Sequence, residues 1–254
     1  MKASFWQKAG RLWIAGLLLF ILRLIQNKTG FDAETGLSLP SVPGVLVVVC
    51  LALAAALEVW LARRRSKARP FFADHFSPPE KETPVLVCGC MLLAAGGILQ
   101  TLLAVMTAGG AAGAVTGLLA LASGGGFLLL TRGLRAGEEL SITPILPAMF
   151  FGVFLVLAVY LPSADDPVLA RYYLQVLAAS LLAYAFSQLA GFLRGESRAR
   201  IFTPVADLAV IACVAVMADG GLARILLYGG GALVLSAFLL LQREDAPDEE
   251  QTET

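Results

Sequence analysis

Three arginines at the edges of apolar runs, Arg23, Arg171 and Arg224, together with Gln26 and Gln175, are the residues suited by type to hold an anionic ligand. Arginine presents a rigid fork of donors that matches carboxylate or phosphate. A second reading pairs these arginines with Asp165, Asp166 and Asp219 and lets their stems snorkel toward water. Both readings stay open at this level. A different kind of site is offered by two glycine-rich runs, Ser123-Gly124-Gly125-Gly126 and Gly229-Gly230-Gly231. In a bilayer-spanning chain, paired helix breaks leave unwound backbone able to coordinate a transported ligand. Glycine at the same positions also lets two helices touch.

Enzyme chemistry has less support. The run Asp219-Gly220-Gly221-Leu222-Ala223-Arg224 resembles the opening of the CDP-alcohol phosphatidyltransferase signature, D-G-x-x-A-R, which continues with a glycine and two aspartates. Positions 233, 237 and 241 hold Leu233, Ala237 and Leu241, so the carboxylates that would hold metal ions in that family are absent. No G-x-S-x-G, H-E-x-x-H or Walker-type loop occurs, and the single histidine is His75. Cys50, Cys88, Cys90 and Cys213 all lie in apolar runs, where they read as small packing residues. Cys88 and Cys90 are two apart, which on a helix places them about 200° from each other and unable to chelate one ion. Asp32 and Glu34 lack EF-hand spacing, so the loop 27–42 reads as a structured cap, and Asn27-Lys28-Thr29 is a glycosylation sequon. The expectation is a non-enzyme without cofactor or metal.

Composition decides the class. Hydrophobic residues make up 58% of the chain and charged residues 15%, and the mean hydropathy is +0.78. Soluble domains have about 45–50% apolar and about 25% charged residues. The expected fold is an all-α, polytopic transmembrane bundle with spans near 9–26, 44–62, 85–106, 114–131, 144–161, 168–193, 203–218 and 222–242. In the first of these the apolar run Leu12 to Leu22 follows Lys2, Lys8 and Arg11, but no signal-peptidase site comes after it, so it reads as an uncleaved span. Residues 244–254 read as an acidic, disordered tail. Thr83-Pro84, Thr143-Pro144 and Thr203-Pro204 recur at intervals of 60 residues. Threonine caps helix starts and proline suits the first helical position, so each pair marks the start of a hairpin, four hairpins in all.

Orientation follows from the cations. With eight spans, 15 of 19 Lys and Arg residues fall on one side, which the positive-inside rule assigns to the cytoplasm of a bacterial-type plasma membrane, with both termini inside. Trp6, Trp13 and Trp60 then lie near the inner interface and Tyr160, Tyr172 and Tyr173 near the outer one. The stretch Arg69-Pro70-Phe71-Phe72 and Phe76 is expected on the inner leaflet, held by anionic lipid. Asp207, three residues after Pro204, is explained by a helix N-terminus, and Glu58 by the nearby 63–65 arginines. Gly109, Gly113 and Gly117, and Ser180, Tyr184, Ser187 and Gly191, form small-residue faces for helix packing. A neutral net charge gives no reason to expect nucleic acid.

The stretch 23–37 resembles a segment seen in uncharacterised bacterial multi-spanning membrane proteins; that resemblance implies no particular activity and carries over no functional residue. Two functions fit the residues. One is a small permease or transporter component using the glycine runs. The other is a non-catalytic scaffold or partner subunit, associating with another membrane protein or with its own copies, whose 63–81 loop carries the contacts.

Overall fold

The computed structural model describes residues 9–32, 39, 41–63, 72–78, 83–106, 110–137, 140–163, 172–196 and 199–242. Among them, eight helices are long and apolar enough to cross a bilayer, and the chain is an all-α, multi-pass membrane protein. In chain order the helices are α1 (Gly10–Thr29), α2 (Val42–Arg63), the short α3 (Phe72–His75), α4 (Thr83–Met106), α5 (Gly110–Ala136), α6 (Leu146–Ser163), α7 (Tyr173–Leu193), α8 (Ala199–Val216) and α9 (Leu222–Leu241). Turns of 3-10 type precede α6 (Thr143–Ile145) and follow α8 (Met217–Asp219).

Consecutive long helices pack as four hairpins, α1 with α2, α4 with α5, α6 with α7 and α8 with α9. The last three close into a ring of six, because α9 also packs on α4, α5 on α6 and α7 on α8. Hairpin α1–α2 lies outside the ring against α8. Burial follows from that position: α8 is 78% buried over its apolar window, whereas α2 is 17% buried and presents Val45, Val48, Leu53 and Leu57 outward.

Small residues set the closest seams, as a bilayer bundle requires. On α4, Gly89 and Gly96 lie against Val234 and Leu226 of α9, and Gly97 meets Gly117 of α5 backbone to backbone. Gly113 faces Ala104 and Gln100, so the expected Gly113 and Gly117 face packs, while Gly109 lies outside the described residues. The expected face on α7 does not form, since Ser180 and Tyr184 are exposed and Ala183 meets Gly152 of α6 instead.

Two of the three Thr-Pro marks stand at helix starts as expected, and the third does not. Thr83 opens α4 and Pro144 sits in the 3-10 turn before α6, but Pro204 lies inside α8, which starts at Ala199. Phe202 explains the earlier start: helical geometry buries its ring against Phe76 and Phe192, with centroids 5.9 and 5.6 Å away. Two of the threonine hydroxyls also bridge helices. Thr83 accepts a hydrogen bond from Arg135 at the end of α5, and Thr203 accepts one from Gln242 after α9 at 3.1 Å. In two hairpins, therefore, the threonine ties the start of the first helix to the end of the second.

The end of the ring that holds these threonines is closed by an aromatic plug. Phe72 and Phe76 do not lie on a leaflet surface; they are 3% and 0% exposed. Phe76 packs edge-on against Phe192, Phe202 and Phe238. It also bridges to Gln242, and the Ser77 N–H donates to the Leu241 carbonyl at 2.7 Å. His75 stacks flat on Phe192 at 4.7 Å. Deeper in the ring, Phe127 packs against Phe186 and Phe238 at 5.1 and 5.7 Å, so side chains fill the centre there. Phe71 and residues 69–70 lie outside the described residues.

Candidate functional site

At the opposite end of the bundle, register alone decides where one arginine points. Leu12, Gly16 and Leu19 form the buried stripe of α1, with Gly16 held against Val214 and Ile211 of α8. Arg23 continues that stripe one turn further, at helical spacing, and so enters the bundle with its side chain 0% exposed. Its acceptor is set by the turn that follows α8. Gly220 and Gly221, at φ of 79° and 83°, reverse the chain into α9 in a conformation that glycine adopts without strain. This reversal leaves Asp219 facing α1.

Arg23 Nε donates to Asp219 Oδ1 at 2.7 Å, and its Nη1 donates to Gln26 Oε1 at 2.9 Å. Asp219 is satisfied from two further sides: Asn27 Nδ2 donates to Oδ1 at 3.1 Å, and Gln175 Nε2 to Oδ2 at 3.0 Å. The guanidinium also lies 5.3 Å from the ring centroid of Tyr173, within cation–π range. Tyr228 of α9 donates its hydroxyl to the Gln175 carbonyl at 3.1 Å. Helices α1, α7 and α9 and the α8–α9 turn thus meet in one polar knot. Burial of two charges is costly, and it is offset here by close pairing with additional donors around the carboxylate.

This geometry removes Arg23 from the expected anion-receiving mouth, because its charge and donors already serve Asp219 and Gln26. Gln26 and Gln175 do gather around it. Arg224 is exposed on the first turn of α9, and Arg171 lies outside the described residues, as do Asp165 and Asp166. Pairing with Asp219 is the alternative that the structure bears out for Arg23. The Tyr173 stack and the role of Asn27 escaped the sequence reading. A signal for Asn27 existed in its position, one turn beyond Arg23 on the same helix.

The glycine runs are not interrupted. Ser123, Gly124, Gly125 and Gly126 lie within continuous α5, and Ser123 Oγ donates back to the Leu119 carbonyl at 2.5 Å. A methyl on Gly124 would meet the Cys90 carbonyl oxygen at 2.7 Å, and one on Gly126 would collide with the Pro144 carbonyl. Gly125 has open space. Gly229, Gly230 and Gly231 lie within continuous α9, where a methyl on Gly230 would meet the Leu93 nitrogen at 2.7 Å and one on Gly231 the Leu182 side chain at 3.0 Å. The expected unwound backbone is therefore replaced by helix seams: α5 with α4 and with the Pro144 turn, α9 with α4 and α7.

Two buried carboxyl residues remain. Glu58 is 5% exposed, in the stripe with Val47 and Ala62 that α2 turns inward, and Asp207 is 2% exposed on α8. Because α8 starts at Ala199, Asp207 sits in its third turn, beyond the first-turn reach of the helix dipole that was expected to explain it. Among the described residues, no group of three or more His, Cys, Asp or Glu could hold a metal ion.

Compared with protein-family models, with curated proteins and with solved structures, the chain has no match.

Proposed function

We propose that this membrane protein is a non-catalytic, non-transporting scaffold or partner subunit. One observation carries the reading: the glycine runs, the feature that favoured a permease, lie in unbroken helices, and five of their six glycines are packed against neighbours. A permease reading needs freed backbone facing a polar cavity, since broken helices persist in lipid only where protein or water satisfies them. The peripheral α1–α2 hairpin supplies the surface of a scaffold, with the outward face of α2 available to another membrane helix or a second copy. In this proposal the cation-rich end of the bundle faces the cytoplasm, where anionic lipid headgroups attract it.

A photo-crosslinking residue at Leu53 on α2 tests it in intact cells. The expected result is one discrete protein adduct, of a second copy or of a defined partner. The permease reading returns if purified protein in vesicles shows saturable solute uptake that Gly124→Ala abolishes while the fold is retained.

A further inference from the structure

Six arginines stand exposed around the Phe76 end of the bundle: Arg11 and Arg63 on hairpin α1–α2, Arg132 and Arg135 closing α5, Arg194 after α7 and Arg200 opening α8. Among the described side chains at this end, Glu196 is the one exposed carboxylate. With the joining segments included, this side of the chain before residue 243 holds 14 Lys and Arg against 8 Asp and Glu. The excess is positive and is brought together by the fold, because alternate helix ends gather here.

The chain leaves the bundle at that same place and with the opposite charge. Gln242 is fixed by its bond to Thr203 at 3.1 Å and its bridge to Phe76. Directly after it, residues 243–254 carry Glu244, Asp245, Asp248, Glu249, Glu250 and Glu253 against the one Arg243. Twelve residues span up to about 40 Å when extended, and packed helix axes are about 8–10 Å apart, so every arginine of the end face is within reach. A tether of this length also holds its charges at roughly millimolar effective concentration.

We infer that the acidic run 244–253 docks on the arginine-lined end of the bundle, covering cations that otherwise attract anionic headgroups. The pairing is electrostatic, spread over several arginines, and weakened by salt. It holds for either orientation of the protein, since the run and the arginines are on the same side.

The test uses the full chain in nanodiscs of phosphatidylcholine, with a photo-crosslinking residue in place of Thr252. Intramolecular adducts to peptides containing Arg63, Arg132 or Arg194 are expected at low salt. Replacing the six carboxylates by amides, or combining Arg132→Gln with Arg194→Gln, should lower the adduct yield by about tenfold, as loss of a tethered charge pairing predicts. Thermal unfolding of the amide variant serves as the check on folding, and it should match the unmodified chain. Equal yields with and without the six carboxylates, or adducts to lipid alone, would overturn the inference.

Discussion

Arg23 and Asp219, 196 residues apart in sequence, form a 2.7 Å ion pair that fastens the first hairpin to the last. Around that contact α1 is held to the α8–α9 turn, and through Gln175 to α7. Removing one charge leaves the other buried, which typically costs about 3–5 kcal/mol. Arg23→Gln or Asp219→Asn alone should therefore lower the thermal unfolding temperature strongly. The double variant keeps neutral hydrogen-bonding groups and should recover most of the loss. Unfolding of all four proteins in one detergent gives the coupling energy; additive losses would mean that the pair contributes little.

The glycine positions separate packing from ligand binding. Gly125 has no neighbour within 4 Å of an added methyl, so Gly125→Ala should be neutral or stabilising by up to about 1 kcal/mol, as expected for helical alanine over glycine. A methyl on Gly230 would press on the Leu93 N–H at 2.7 Å and the Gly89 carbonyl at 3.0 Å. Gly230→Ala should cost about 1–3 kcal/mol by overpacking. Denaturation curves for the two variants decide the matter, and equal stabilities would contradict the seams described.

The eight spans and their hairpin pairing were legible because lipid demands long apolar runs, which composition displays directly. Arg23 was only half legible. Its spacing from Leu12, Gly16 and Leu19 places it on the buried stripe, but the identity of its partner depends on a turn in the last hairpin. Phe76 was misjudged for a physical reason. Nearby cations suggested a leaflet surface, whereas the ring of six helices leaves an end that aromatic side chains from several hairpins fill. Thr203 shows the same limit, since the burial of Phe202 extends the helix past a local start signal.

The aromatic plug gives a third prediction. Phe76 is fully buried, while Phe150 on α6 is 54% exposed. Phe76→Ala should destabilise the bundle by about 3–5 kcal/mol, the usual loss for a buried phenylalanine. Phe150→Ala should have a much smaller effect. Limited proteolysis should also reveal faster cleavage in the segment joining α2 to α4 in the Phe76 variant. Similar unfolding temperatures for both variants would show that the plug adds little to the bundle.

Orientation is testable without purification. Arg63, Arg132, Arg135, Arg194 and Arg200 all lie on the Phe76 side, and the loop that joins α1 to α2 lies on the Arg23 side. If the positive-inside rule holds, a cysteine at Ser66 or Ser197 should resist an impermeant thiol reagent in intact cells and react after permeabilisation. A cysteine at Thr35 should react in intact cells. The native cysteines give little background: Cys90 and Cys213 are buried, and Cys50 and Cys88 lie within the apolar spans α2 and α4. Labelling of the Ser66 variant from outside, with protection at Thr35, would invert the proposed orientation. The bundle itself would be unaffected, because its helix order, its aromatic plug and the Arg23–Asp219 knot are independent of which side faces the cytoplasm.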